Sequence, residues 1–295
     1  MIETFLTPIA VLLRIFSNPL GNVFQKQLTA KNNHPLLVNF LTYLLLGILC
    51  IFISFGVQWR GLPVQFWLYS VAGGITGALG NGFLVKALQK GDLSVLGPVN
   101  SYKSVVGIIA GIFLLGEIPN VWGVLGIVLI IYGSYFVLDT TKDRFSWALL
   151  KRPEIQYRIW AMVLTAIEAI FIKKIILASS ATVAFISWCW FGTLFSFLFL
   201  LLYRLNLKDE IRKVTSKDIS KYVYLLICIG TMQFTTIYAF EHMPVGYALS
   251  LFQLSVIVSV LLGHRVFKEQ DIRKKLLGSV IMVIGSIVII LFKDT

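Results

Sequence analysis

The sequence predicts an all-α integral membrane protein with ten transmembrane helices, arranged as two inverted five-helix repeats. The first observation is composition: 57% of the 295 residues are hydrophobic and only 14% are charged, with a mean hydropathy of +0.83. Such a chain has too few polar residues to cover a soluble globule. The second is the length of the apolar runs, and the third is an internal repeat.

Five apolar runs contain no Asp, Glu, Lys or Arg, and they cover residues 36–59, 61–85, 118–138, 175–203 and 222–240. Each has the roughly 20 residues that a helix needs to cross about 30 Å of hydrocarbon. Hydropathy and loop signals together predict ten spans, at 6–28, 36–57, 64–88, 93–115, 119–138, 158–178, 182–203, 220–240, 245–267 and 273–292. The first repeat is residues 1–140, a charged connection is 141–157, and the second repeat is 158–295.

Residues 87–138 align without a gap over residues 239–290 at a constant offset of 152. The alignment pairs small and acidic residues: Gly111 with Gly263, Glu117 with Glu269, Gly126 with Gly278 and Gly133 with Gly285. Because each repeat holds five spans, an odd number, the second must enter the membrane from the opposite side. Inverted repeats of this kind are typical of secondary transporters, whose site lies near the midplane between the repeats.

The sequence GEIPNVWGVLGIVLIIYGS at 116–134 and its echo KEQDIRKKLLGSVIMVIGS at 268–286 resemble the drug/metabolite transporter superfamily, in its ten-helix EamA-type family. In that family a Gly-Glu pair ends the fourth helix of each half, and a glycine-spaced fifth helix follows. The second half has Lys268 in place of the glycine. The resemblance implies a transporter in a cell membrane, of the bacterial inner-membrane type, and export as its direction. It does not define the substrate.

The loop charges predict an orientation. The loops after spans 1, 3, 5, 7 and 9 carry eighteen Lys or Arg, if Arg158 is counted with them, and the opposite side carries four. By the positive-inside rule the basic loops are cytoplasmic and both termini are outside. Relatives of this type usually have both termini inside. We follow the charges, because the bias is large and lies in short loops.

Lys103 falls near the centre of the fourth span, and helical spacing puts Asn100 and Gly107 on its face. The matching face of the ninth span includes Ser255. A lysine at this depth costs about 2.5–3.5 kcal/mol unless it faces water or a partner. We interpret Lys103 as a ligand for a substrate carboxylate or phosphate, or as part of proton coupling. The alternatives are a structural ion pair and a lysine that extends to the interface.

Arg14 and Asn18 begin a polar stripe on the first span, beside Pro19, which is expected to interrupt the helix. Glu168 is the only carboxylate deep in any span. It is expected to pair with Arg14 or Lys103, or to act as a protonatable coupling group. The stripe either lines the pathway or packs polar groups between helices.

Asn81 and Gln233 occupy matching positions of the third and eighth spans, where amides either line a site or bridge helices. Trp188 lies in the middle of the seventh span. It is a candidate to line a binding site for a cation with its aromatic ring, although packing roles are commoner. The three cysteines lie in apolar runs. No catalytic residue, metal site or cofactor motif is predicted.

These residues predict a transporter, not an enzyme, that moves a small polar metabolite such as an amino acid or related zwitterion by alternating access. One alternative is an exchanger of organic anions or phosphorylated metabolites that uses Lys103 and Arg14. Another is a proton-coupled exporter of cations or drugs that uses Glu168. The predicted partners are the lipid bilayer, the solute and protons as a coupling ion, with no nucleic acid. A membrane enzyme is not predicted, because the sequence shows no set of catalytic residues. A sensor is not predicted either, because the sequence shows no sizeable soluble domain that would receive a signal.

Overall fold

The computed structural model of the chain describes residues 2–30, 33–103, 105, 106, 120–140 and 150–292. Within these ranges the regular elements are helices, apart from turns, and there is no β-strand. The helices of the first repeat are α1 Ile2–Thr29, α2 Pro35–Ser54, α3 Val64–Lys90, α4 Leu93–Val99 and α5 Val121–Leu138. Those that follow are α6 Pro153–Ala178, α7 Ala181–Leu202, α8 Leu207–Arg212, α9 Ser216–His242, α10 Val245–Phe252, α11 Ser255–Phe267 and α12 Ile272–Leu291.

Helix length and composition suit a membrane. Five of the helices are long and apolar enough to cross one, namely α2, α3, α5, α7 and, from Asp218 onward, α9. Helices α1, α6 and α12 contain 28, 26 and 20 residues and pack along α9, α3 and α5 respectively. They therefore cross the same thickness. The fourth and ninth spans are discontinuous, which gives the ten-span fold that the sequence predicts.

Polar residues in the connections set the beginnings of several helices. The side chain of Asn120 accepts a hydrogen bond of 2.8 Å from the Gly123 amide at the start of α5. The Ser180 hydroxyl accepts one of 3.3 Å from the Val183 amide at the start of α7. A side-chain cap satisfies amide groups that the first turn of a helix leaves without a partner. These caps mark where the chain re-enters the apolar layer.

Helices α5 and α12 show that the two repeats are inverted. A Cβ atom on Gly126 would lie 2.7 Å from the carbonyl oxygen of Gly285, and one on Gly133 would lie 2.6 Å from that of Gly278. The contacts run in opposite directions along the two helices, so the helices are antiparallel. Because α5 and α12 are the equivalent fifth spans of the two repeats, the repeats must have opposite orientations.

The other principal helix contacts follow the same two-fold relation. Helix α3 packs on α6 and α1 on α9, which are equivalent pairs, while α2 packs on α7 and α4 on α11. The largest apolar cluster involves α2, α7 and α9, and includes Tyr43, Cys189 and Phe240. Polar side chains lie in the interior of the bundle, and the helices around them are α1, α4, α6, α9 and those of the ninth span.

Two sequence expectations about helix continuity are wrong. Helix α1 runs from Ile2 to Thr29 with Pro8 and Pro19 inside it, so Pro19 does not interrupt it. A proline removes one backbone hydrogen bond, but a transmembrane helix tolerates this loss where neighbouring groups satisfy the freed carbonyl. Helix α6 begins at Pro153, earlier than residue 158, because proline suits the first turn. Arg158 therefore lies inside the helix and not in a loop.

Candidate functional site

The fourth and ninth spans break at equivalent positions. Helix α4 ends at Val99, and the chain turns at Asn100 and Ser101 before it becomes helical again at Tyr102 and Lys103. The ninth span breaks between Phe252 and Ser255. Under the offset of 152, Ser101 corresponds to Gln253. Discontinuous helices at matching positions of two repeats are typical of transporter binding sites.

Polar atoms at both breaks lie in the interior. Ser101 and Gln253 are buried, and within the described ranges the Ser101 hydroxyl and the Gln253 side-chain carbonyl have no hydrogen-bond partner. Asn100, half-buried, ends α4, and its carbonyl accepts from the Lys103 amide at 3.0 Å. Ser255 is buried at the first position of α11. The two breaks thus carry several of the predicted site residues.

Four ionisable side chains meet in this interior. The charge of Lys103 interacts with those of Arg158, Arg14 and Glu168, which come from α6, α1 and α6. In the part of the chain that the structure describes, Lys103 forms neither a hydrogen bond nor an ion pair through its side chain, and it is only half-buried. The amine therefore keeps some accessible surface at mid-span, where a lysine is costly unless it faces water or a partner.

Arg14 is fixed from two sides. Its Nε donates to Thr236 Oγ1 on α9 at 2.7 Å, and its guanidinium carbon lies 4.8 Å from the centre of the Phe252 ring. Its Nη1 is buried and has no partner. Asn18, one turn further along α1, is half-buried. The structure therefore brings Arg14 to the break of the ninth span with a donor unused.

Arg158 is a site residue that the sequence interpretation missed. It is buried, and its Nε donates to the Leu96 carbonyl of α4 at 2.8 Å. A signal for it was present: Arg158, Ala161, Thr165 and Glu168 are spaced by three, four and three residues, which places them on one helix face. The interior is more cationic than the sequence interpretation supposed.

Glu168 is hydrogen-bonded to a neutral donor, and no ion pair of its side chain is formed within the described residues. Its Oε1 accepts from the Trp188 indole at 2.7 Å, and the same oxygen packs against Gly77 of α3. Trp188 in turn packs on Tyr43, with ring centres 4.6 Å apart. Glu168 is 6% exposed. A neutral donor on α7 therefore holds the Glu168 carboxylate.

The two predicted amides have different surroundings. Asn81 donates to the Tyr43 hydroxyl at 2.8 Å and to the Gly77 carbonyl at 3.0 Å, so it bridges α2 and α3. Gln233 is buried, and its Nε2 has no partner. Asn81 fits the packing role, whereas Gln233 retains an unused donor in the interior.

Glu269 closes one end of the bundle. Its Oε1 accepts from Lys26 Nζ at 2.9 Å and from the Leu93 amide at 2.8 Å. Its Oε2 accepts from the Ser94 amide at 2.9 Å and from the Ser94 hydroxyl. This cluster, which we call the Glu269 latch, joins α1, the beginning of α4 and the connection between α11 and α12. Glu117, its counterpart, and Gly107 and Gly111 lie outside the described residues.

Electrostatics keep the Glu269 latch ionised. Burial raises the pKa of the Glu269 carboxyl, but the Lys26 ammonium and the hydrogen bonds from Ser94 outweigh it and hold the pKa below the ordinary value of 4.5. The anion also lies at the beginning of α4, where main-chain amides face it. At neutral pH the contact is therefore a charged one.

Two cavities among the described residues lie away from Lys103. One of about 480 Å³ is an apolar groove between α2 and α7, lined by residues such as Phe40 and Trp190. A second of about 410 Å³ lies at the end of the bundle, beside Gln58 and Ser180. Among the described residues no group of His, Cys, Asp or Glu has the arrangement of a metal site.

Inverted repeats, paired broken helices and a charged interior agree with an integral membrane transporter. The chain belongs to the EamA-like transporter family, whose model matches residues 7–139 and 153–291. A solved structure, described only as the crystal structure of a protein, is similar with a TM-score of 0.68 and 17% identity, over 97% of this chain and 98% of the other. That likeness supports the fold alone. None of the curated proteins searched matches the chain.

Proposed function

We propose that this transporter carries a small organic anion across the cell membrane by alternating access, with Lys103 at the centre of its substrate site. The observation that carries the proposal is the charge balance of the interior. Lys103, Arg14 and Arg158 provide three cations, and Glu168 provides one carboxylate. This favours the anion alternative over the zwitterion and over a cation or drug.

Unbalanced buried charge is costly, and an anion relieves that cost. A charge taken out of water without a partner carries a penalty of several kcal/mol. The Lys103 side chain has no hydrogen bond or ion pair within the described ranges, and Arg14 has an unused buried donor. Carboxylate or phosphate oxygens satisfy both groups through charge-assisted hydrogen bonds. The substrate-free site is therefore destabilised relative to the loaded one.

The Glu269 latch supplies the alternating part of the mechanism. It holds the end of the bundle where the basic loops lie, which the charge rule makes cytoplasmic. The repeat relates Glu269 to Glu117, Ser94 to Gly246 and Lys26 to Lys173, so the opposite end has the parts of a second latch. One latch would form as the other opens. We propose external termini and outward transport on this scheme.

A zwitterion such as an amino acid remains the second candidate, because Glu168 provides a carboxylate that an ammonium group would meet. Against it, Trp188 already donates to that carboxylate. In this scheme Glu168 is instead the group that exchanges a coupling proton. Protonation would cancel the interior's one negative charge and so strengthen the binding of an anion.

The test is counterflow in proteoliposomes that contain the purified full-length protein. Vesicles loaded with an unlabelled solute accumulate the labelled form only when the protein exchanges it. We expect uptake of labelled carboxylates or phosphate esters, and loss of uptake in Lys103→Gln. Lys90→Gln, which changes an exposed lysine at the end of α3, is the matched control. Uptake of cations alone, or full anion uptake by Lys103→Gln, would contradict the proposal.

A further inference from the structure

We propose that the transported anion carries two separate anionic groups, one bound by Arg14 with Gln233 and the other by Lys103 with Arg158. This inference rests on the proposed function and names its substrate class: a small dicarboxylate or a phosphorylated carboxylic acid.

Charge counting gives the first argument. By formal charge, Lys103, Arg14 and Arg158 are positive and Glu168 is negative, so two positive charges remain among these four described residues. Buried charges are stable when they are paired. A substrate with a single negative charge leaves one cation unbalanced, whereas a substrate with two negative charges neutralises the site.

The second argument is where the two guanidinium groups are held. Arg14 is held by Thr236 of α9 and lies over the Phe252 ring, whereas Arg158 is held by the Leu96 carbonyl of α4. Helix α9 belongs to the second repeat and α4 to the first, so the two guanidinium groups are anchored separately.

The chemistry at Arg14 suits a carboxylate. Arg14 Nη1 and Gln233 Nε2 are both buried donors that have no partner among the described residues. Arg14 is bonded to Thr236, which lies three residues beyond Gln233 and therefore on the same face of α9. A charged donor beside an amide donor matches the two oxygens of a carboxylate.

Ser17 supports the same placement. Helices α1 and α9 are antiparallel, because Arg14 meets Thr236 and Gly21 packs against Ile229. Ser17 is therefore level with Gln233, and its hydroxyl is also buried without a partner. Three polar groups without a partner among the described residues thus lie within about one turn of one another on α1 and α9, which supports a binding surface there.

The experiment compares compounds that carry two anionic groups with partners that carry one. Two pairs are a dicarboxylate and its monoamide, which have nearly the same size, and the third pair is a phosphate ester and the hydroxy acid without the phosphate. Purified full-length protein in detergent is heated with succinate or succinamate, with glutarate or glutaramate, and with 3-phosphoglycerate or glycerate. We expect the double anion of at least one pair to stabilise the protein at an about tenfold lower concentration than its single-anion partner. The carboxylate pairs and the phosphate pair separate the two sources of the second charge.

The variants assign the preference to Arg14. Arg14→Gln should bind both members of a pair alike, and Gln233→Leu, which changes no charge, should reduce the preference even where Arg14→Gln fails to fold. Arg60→Gln, at an exposed arginine after α2, is the matched control and should retain it.

The outcomes distinguish the two proposals. If anions bind but both members of every pair act alike, or if Arg14→Gln and Gln233→Leu keep the full preference, the two-group inference is overturned and anion transport stands. If no anion in the panel stabilises the protein or is exchanged by proteoliposomes, both proposals fail.

Discussion

Replacing Glu269 with glutamine should open the end of the bundle that the Glu269 latch holds. The carboxylate accepts bonds from Lys26, from two main-chain amides and from the Ser94 hydroxyl. A glutamine in its place would keep one carbonyl acceptor, lose the charge and leave the Lys26 ammonium, which is 13% exposed, without a counter-ion. Loss of one partner of a buried ion pair costs about 3–5 kcal/mol, and the residual exposure of Lys26 favours the lower end, about 3 kcal/mol.

That cost is large compared with the difference between two transporter conformations. Because about 1.4 kcal/mol is a factor of ten in an equilibrium constant, about 3 kcal/mol shifts the equilibrium between the closed and open basic end by about a hundredfold. Double electron–electron resonance measures this shift as a change in the distance between two spin labels. The labels are placed at Lys90 and Gln270, which are both exposed beside the Glu269 latch. The cysteine-free background replaces Cys50, Cys189 and Cys228. We expect the distance distribution to move to a longer population.

The control is Glu241→Gln, an exposed carboxylate at the end of α9. A Lys26→Met variant should open the same end, and the double variant should add little to Glu269→Gln if the two residues act on each other. An unchanged distance distribution in Glu269→Gln would refute the reasoning that the latch holds this end closed.

Three further predictions follow from the contacts. Gly126→Ala should lower the melting temperature by several degrees in detergent, since the new methyl group meets main chain, whereas Gly61→Ala, with nothing within 4 Å, should not. The pKa of Glu269 is held below 4.5 in the folded protein, so the ionised carboxylate stabilises the closed end above that pH and this stabilisation is lost as the pH falls through the lowered pKa. The distances between the spin labels should therefore stay constant from about pH 8 to about pH 5 and lengthen below about pH 5. Trp188→Phe removes the donor to Glu168 and should shift the pH dependence of counterflow, while an unchanged pH profile would exclude this carboxylate from coupling.

Features that depend on local pattern were predictable. The apolar runs give the spans because a helix must satisfy its own backbone in lipid. The glycine spacing shared by Gly126, Gly133, Gly278 and Gly285 gives the repeat and, in the structure, the antiparallel contact between α5 and α12. An odd number of spans per repeat then fixes the inversion without any tertiary information.

Features that depend on tertiary partners were not predictable. Nothing in the sequence between Phe252 and Ser255 breaks a helix by propensity, yet the ninth span ends and restarts there. The sequence leaves open whether Glu168 pairs with a cation or exchanges a proton, and it does not indicate that the packing of α6 against α7 brings the Trp188 indole to this carboxylate. Arg158 stands at the first position of the predicted sixth span and was counted with the loop charges, because charged residues precede it. The partners of Glu269 come from two distant helices, and no local pattern indicates them.

The seam between α5 and α12 has a consequence for how the molecule can move. At Gly126 and Gly285 each backbone carbonyl fills the space where the other residue's side chain would begin. A larger residue on one side therefore cannot be compensated by trimming the other, since nothing remains to remove. Because this contact between α5 and α12 leaves no space for a larger side chain, the two helices are suited to stay together as a fixed axis while the other helices of each repeat tilt around it.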